Sequence, residues 1–289
     1  MSKSSVSSVF IAGAGFMGSA IAYLVATKSK AKVCLYDKYP EALKNALSTF
    51  DKFGNTSLEK NLITKSDLQN ARNSLTTINS LDQLPNSDIV IEAIAENLTI
   101  KKEFFSFIDK KFAPSTIFAS NTSSLSVTAL STATKRPDKF IGMHFFSPAH
   151  IMKLLEIIPI ENTSKGTVEY VIEFGKYLGK TVITSKDFPG FVTSRLGIVL
   201  INEAAFALME GLSSAEEIDL GMTLGYNHPM GPLALADFIG LDICLNIMET
   251  LQNGFGDSKY RPCPLLRQLV EAGHLGRKTG KGFYNYGAA

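Results

Sequence analysis

Short apolar runs alternate with stretches of helical periodicity through the first two thirds of the chain. The runs are VFIAG (9–13), KVCLYD (32–37), DIVIEAI (88–94), STIFAS (115–120), KFIGMH (139–144), KLLEII (153–158) and KTVITS (180–185). Each is strand-length and bounded by turn residues or helical pattern, so each predicts a strand. MGSAIAYLVATKS (17–29), PEALKNALSTFDKF (40–53), residues 58–73, residues 99–112 and GTVEYVIEFGKYLG (166–179) predict helices, with Pro40 near a helix start. The segments at 40–53 and 58–73 would form a helical hairpin. Strands this uniformly apolar are covered on both faces, which implies βαβ units and a mostly parallel sheet. After SKDFPG (185–190) helical periodicity dominates, at 191–211, 214–224, 232–252 and 262–272. The pattern predicts an α/β domain over residues 1–186 and an all-helical C-terminal domain over 187–289. No internal repeat is visible, and the only biased segment is a serine-rich N-terminus.

Length agrees with two domains, since 289 residues are about twice the usual ~150 per domain. A hydrophobic content of 45% and a charged content of 19% are those of an ordinary globular chain. The net charge of +2, without a dense basic run or zinc-finger spacing, argues against a nucleic-acid partner. No metal is expected. Cys34, Cys244 and Cys263 are far apart and form no C-x-x-C, as in a protein of a reducing, cytoplasmic compartment. Residues 9–26 carry no charge and follow Lys3, which imitates a signal peptide or membrane span. Gly13, Gly15 and Gly18 argue instead for a turn between a strand and a helix. The apolar stretch 191–209 contains Arg195, Asn202 and Glu203 and reads as a buried helix of a soluble protein, so no membrane partner is expected.

Those glycines form G-x-G-x-x-G, Gly13-Ala14-Gly15-Phe16-Met17-Gly18. The motif follows a predicted strand, opens a predicted helix and begins a βαβ unit, and the next strand ends in Asp37. That context identifies a dinucleotide site. The first glycine permits the turn, the second lets a pyrophosphate approach the backbone, and the third allows helix and strand to pack closely. The helix N-terminus offers N–H groups and a positive dipole end to the phosphates. Asp37 can accept from both ribose hydroxyls, and its charge would repel a 2′-phosphate, which favours NAD over NADP. The competing explanation is a structural turn followed by a solvated aspartate.

GMHFFSPAHIMKLLEII (142–158) poses a different question, because His144 and Glu156 sit in almost wholly apolar segments. Buried imidazole–carboxylate pairs are commonly structural. Hydride chemistry at a dinucleotide site, however, also requires a base for the hydroxyl proton. His144 ends a strand, where open α/β sheets place ligands. Glu156 shares its strand face with Leu154 and Ile158, so its carboxylate needs a buried partner. It would hold the imidazole in one tautomer and stabilise it when protonated. SNTSSL (120–125) follows another strand, and spacing alone does not separate helix capping from substrate binding there.

These segments, with IEAIAEN (91–97), FASNTSSL (118–125), ATKRPDKFIGMHFFSPAHIMKLLE (133–156), PGF (189–191), YNHPMGPLALADFIGLDICL (226–245), GDSKYRP (256–262) and GRKTGKGFYNY (276–286), cover nearly the whole chain. The chain resembles the short-chain L-3-hydroxyacyl-CoA dehydrogenase family, in particular its bacterial 3-hydroxybutyryl-CoA members. The resemblance implies a Rossmann-like NAD domain, a helical domain that makes a homodimer interface, and a site in the cleft between them. It implies an acyl-CoA substrate. It makes His144 the catalytic base, Glu156 its partner, and Ser123 a contact to the substrate oxygen. It places Glu96, Lys101 and Lys278 at cofactor-contacting positions. Without the resemblance these three would be a solvated loop acid and helix-surface lysines.

The chain departs from the family pattern at several positions. Ser147 and Ser194 stand where the family has asparagines that line the active site and meet the substrate. His150 stands where a small or apolar residue is usual. The hairpin that meets coenzyme A in the family is here less basic, so no CoA-binding lysine is assigned. His228 fits a structural loop position and His274 a solvated one. Two rivals stay open. One is an enzyme of this fold acting on a small hydroxy acid without CoA. The other is a catalytically weak NAD-binding or structural homologue.

Overall fold

The computed structural model describes residues 6–82 and 84–287, and the serine-rich N-terminus with Lys3 lies outside them. The chain divides into two compact units, Met1–Asp187 and Phe188–Ala289.

In the first unit, β1 (Ser8–Ala12) leads through α1 (Phe16–Lys28) to β2 (Lys32–Tyr36). Helices α2 (Pro40–Glu59) and α3 (Lys65–Ser74) precede β3 (Leu75–Ile78). Then follow β4 (Ile89–Glu92), α4 (Leu98–Asp109), β5 (Ile117–Ser120), the short α5 (Val127–Ser131), β6 (Phe140–Phe145), β7 (Leu154–Pro159), α6 (Lys165–Tyr177) and β8 (Thr181–Thr184). The strands form one sheet in the order β3-β2-β1-β4-β5-β6-β7-β8. All neighbours are parallel except β6 and β7. The sequence of strands reverses direction between β1 and β4, the switch point at which such sheets bind ligands.

The apolar runs alternate in the direction they face, as strand geometry requires. Val9, Ile11, Ile89, Ile91, Ile141 and Met143 join one core with Ile21 and Val25 of α1 and Phe174 of α6. The intervening Phe10, Phe118 and Phe140 meet an aromatic cover on the other face. There Phe105 of α4 lies edge-on to Phe140 at 4.7 Å, and Phe112 lies edge-on to Phe10 at 5.4 Å.

The second unit comprises α7 (Thr193–Met209), α8 (Ala215–Gly225), α9 (Pro232–Ile239), α10 (Leu241–Phe255) and α11 (Pro264–Glu271). They close around a separate core that includes Ile201, Leu233, Met248 and Leu266. The single helix predicted over 232–252 is instead α9 and α10, because Gly240 takes a φ of +109° and breaks the ladder. The helix predicted over 40–53 runs on to Glu59: Gly54 lies inside α2, where a Cβ would come within 2.5 Å of Leu68 on α3. Strand β3 and helix α5 were not predicted. Among the described residues no helix is long and apolar enough to cross a membrane. The uncharged run 9–26 is divided between β1, the turn and α1.

The turn after β1 is closed by backbone contact. A Cβ on Gly18 would lie 1.8 Å from the Gly13 carbonyl oxygen, whereas one on Gly15 would meet nothing within 4 Å. Gly18→Ala should therefore destabilise the protein by about 1–3 kcal/mol, the usual range for an overpacked site. That corresponds to a fall of about 2–10 °C in Tm. Gly15→Ala should leave Tm unchanged. Calorimetry on both variants checks this, and equal Tm values would show that the turn relaxes freely.

Candidate active site

The carboxyl ends of the parallel strands carry most of the residues singled out by the sequence. After β1, the Gly13 N–H donates to the Tyr36 carbonyl at 2.8 Å, which ties the turn to β2. Asp37 follows β2, and its carboxylate accepts from the Ala14 N–H at 2.9 Å and the Tyr39 N–H at 3.0 Å. Each oxygen keeps a further lone pair for a ribose hydroxyl. Helix α1 begins behind Gly15 with no side-chain cap. Packing within the chain accounts for glycine at Gly13 and Gly18, but not at Gly15, whose missing Cβ faces open space. At a helix N-terminus that open space leaves the backbone of Gly15 accessible to a ligand. The residues present thus fit the pyrophosphate and adenosine ribose of NAD. Phe16 is exposed and meets Phe53 edge-on at 6.2 Å, while Met17 packs against the core.

A chain of polar groups lies after β4. Glu92, the last residue of β4, is fully buried and receives the Lys101 ammonium at 2.5 Å, the Ser120 hydroxyl at 2.6 Å and the Ile94 N–H at 2.8 Å. Burial pushes its carboxyl above the usual range despite the Lys101 charge and these donors. Lys101 also meets Glu96 at 3.1 Å. Burial raises the Glu96 carboxyl, but the Lys101 charge and hydrogen bonds from Thr122 and Ser123 outweigh it, and the net shift is downward. Lys101 is not a surface lysine: its side chain is 1% exposed, against 30% for Glu96. Its ammonium lies beneath the site, between two carboxylates. Sequence reasoning missed Glu92, although an acid inside the apolar run DIVIEAI was a visible sign.

Glu96 organises the turn after β5. It accepts from the Thr122 hydroxyl at 2.5 Å and the Ser123 N–H at 3.0 Å, with the Ser123 hydroxyl at 3.5 Å. Capping in this segment is performed by other residues. The Thr122 hydroxyl accepts from the Leu125 N–H at 2.9 Å, and the Ser126 hydroxyl caps α5 by accepting from Ala129. Asp187 adds a carboxylate at the same helix end, accepting from the Val127 and Thr128 N–H groups. Asn121 joins this turn to β6 by accepting from the Phe145 N–H at 2.9 Å.

His144 and Glu156 stand directly opposite in the antiparallel β6–β7 register. Side chains so placed share a face of the sheet. Nδ1 of His144 lies 3.1 Å from Oε2 of Glu156, with the two residues 6% and 0% exposed. The Phe146 ring packs on the imidazole at 4.5 Å between centroids. A carboxylate at Nδ1 favours the tautomer in which that nitrogen donates. Ser147 is exposed in the loop that follows.

The first unit therefore gathers the glycine turn, Asp37, Glu96, Lys101, Ser123, His144, Glu156 and Ser147 along one edge. Ser194 and Lys278 belong to the second unit. Ser194 lies half-buried in the first turn of α7. The Lys278 ammonium is held by both oxygens of Asp242, at 2.6 and 2.7 Å.

Comparison with known proteins agrees with this architecture over both units. Residues 8–188 match the NAD binding domain of 3-hydroxyacyl-CoA dehydrogenase, and residues 190–286 match its C-terminal domain. The chain is 48% identical to a Bacillus subtilis protein described as a "Probable 3-hydroxybutyryl-CoA dehydrogenase", over 97% of this chain and 98% of the relative. It is 44% identical to the 3-hydroxybutyryl-CoA dehydrogenase of Bradyrhizobium diazoefficiens, over 98% and 97%. The crystal structure of (S)-3-hydroxybutyryl-CoA dehydrogenase from Ralstonia eutropha superposes with a TM-score of 0.94 at 46% identity, covering 98% of this chain and all of that one. With its NAD-binding unit followed by the matching helical unit, the chain belongs to the 3-hydroxyacyl-CoA dehydrogenase family.

Proposed function

We propose that the protein interconverts L-3-hydroxyacyl-CoA and 3-ketoacyl-CoA with NAD, that 3-hydroxybutyryl-CoA is its substrate, and that His144 is the base. The observation that carries the proposal is the buried His144–Glu156 pair on the sheet edge that also bears the glycine turn. The substrates named for the relatives support the acyl-CoA assignment. NAD, when bound, supplies the acceptor for the C3 hydride. Nε2 of His144 takes the proton of the 3-hydroxyl as the carbonyl forms, and returns it in the reverse direction. Glu156 keeps the Nδ1 proton in place and offsets the charge of the imidazolium. Ser123, oriented through Glu96, donates to the substrate oxygen, and Glu96, fixed by Lys101, meets the cofactor. Lys278 is assigned a cofactor contact by its family position.

Ser147 and Ser194 are assigned to substrate positioning. Their single short hydroxyls reach less far than an amide, which leaves gaps unless water fills them. We place the enzyme in the cytoplasm, in keeping with three buried free thiols. A second copy of the chain pairs with the helical unit, where Leu196, Leu220, Leu224 and Tyr226 expose large apolar surfaces.

Steady-state turnover of 3-hydroxybutyryl-CoA, compared with 3-hydroxybutyrate, tests the substrate class. Turnover of the thioester alone is expected, and preference for the free acid would contradict it. His144→Gln should lower kcat by ~10²–10⁴-fold, the usual contribution of a positioned base, while NADH binding stays intact. Glu156→Gln should also lower kcat, with little change in KM. Near-normal rates in either variant would remove that residue from its role.

The cofactor preference should reside in the Asp37 charge. Wild type should use NADH in preference to NADPH, and Asp37→Asn should shrink that preference at least about fivefold. This follows from a repulsion of about 1 kcal/mol or more between unit charges near 4 Å. Equal efficiency with both cofactors in wild type would contradict this.

A further inference from the structure

Lys180 lies just before β8, outside the site described above, yet its residue is only 7% exposed. No carboxylate accompanies it among the described ion pairs. Its ammonium donates instead to two main-chain carbonyls, Ala149 at 2.5 Å and Met152 at 2.6 Å. Both belong to the loop that joins β6 to β7 and carries Ser147. A buried cation without a counter-ion is costly, and such groups concentrate where a function retains them. Here the cation fastens a loop one residue beyond the strand that bears His144. The loop is also packed through His150, whose ring lies 4.0 Å from that of Phe53 on α2 and 5.4 Å from that of Tyr23 on α1.

We infer that Lys180 is a positioning residue for the reaction: its ammonium clamps loop 147–152, and so fixes Ser147 and the connection between His144 and Glu156. The inference rests on the hydroxyacyl-CoA reading. Two charged or titratable groups face Lys180: Lys28 at the end of α1, and His150 in the loop. Burial, reinforced by Lys28, lowers the Lys180 ammonium to about 8. Burial and Lys180 together lower His150. The clamp is thus charged at neutral pH and loses its charge as pH rises through about 8. KM for the acyl-CoA should rise along that limb.

The test compares wild type with Lys180→Met, which keeps the stem and removes the donors. Two readouts are needed: kinetics of 3-hydroxybutyryl-CoA oxidation across the limb, and amide hydrogen exchange of residues 147–152 at neutral pH. In the variant, exchange in the loop should increase by about tenfold, a loss of about 1.4 kcal/mol of local protection. Exchange in α1 should not change. KM for 3-hydroxybutyryl-CoA should rise severalfold and lose its alkaline limb, while the NADH dissociation constant stays within about twofold. Unchanged loop exchange would overturn the clamp. Faster exchange with an unchanged KM would overturn its role in positioning. Equal losses in NADH and acyl-CoA binding would mark a merely structural lysine and overturn it too. If wild type oxidises no acyl-CoA, the functional reading fails, and the role in positioning is overturned with it. Should Lys180→Met fail to fold, Lys180→Arg, charged throughout this range, must abolish the alkaline limb. Persistence of the limb would refute the inference.

Discussion

A carboxylate removed from water must have a partner, and Glu156 is fully buried in the sheet. That requirement organises this edge of the sheet. The partner cannot come from Leu154 or Ile158 on the same strand face. It comes from the neighbouring strand, and only an antiparallel step brings the two residues face to face this close to a single loop. The β6–β7 pair is the one antiparallel pair of the sheet, and His144 lies opposite Glu156 in it. The imidazole lies near the end of β6, on the sheet edge that also carries the carboxyl ends of β1, β4 and β5 with the glycine turn, Glu96 and Ser123. One burial constraint, met by one strand reversal, sets an imidazole on the sheet edge that also bears the glycine turn.

The same logic extends to the polar chain beneath the edge. Glu92 is buried, so Lys101 is buried with it, and the lysine then holds Glu96 in place. Glu96 orders the Thr122–Ser123 turn, and Asn121 fastens that turn to Phe145 beside His144. Breaking a buried pair by removing one partner leaves an uncompensated charge, so this network behaves as a unit. It ties the Ser123 turn, through Glu96, to α4 and, through Asn121, to the strand that carries His144.

Strands buried on both faces were legible because they are nearly uniform apolar runs. β3 was not, because LTTI is four residues with two threonines and sits at the sheet edge. Helix α5 was hidden in a serine- and threonine-rich stretch, and its start is held both by the Ser126 cap and by Asp187, sixty residues away from Val127. The break between α9 and α10 depends on a φ that periodicity does not encode. At the site, His144, Glu156 and the glycines stood out because their chemistry is foreign to their surroundings. Lys101 and Lys180 did not, since lysines are rarely buried and the groups that enclose them are distant in sequence or are main-chain carbonyls. The resemblance supplied Lys101 by position, but only the structure shows why it lies where it does.

In the proposed reaction Glu156 fixes the proton on Nδ1 of His144 and leaves Nε2 as the base. Nitrogen-15 spectra of the imidazole rings, with His144 assigned by comparison with His144→Gln, read that directly. In wild type at neutral pH, His144 should be the Nδ1–H tautomer, and Glu156→Gln should turn it into a mixture. A wild-type ring carrying its proton on Nε2, or a tautomer indifferent to Glu156→Gln, would contradict this role of Glu156.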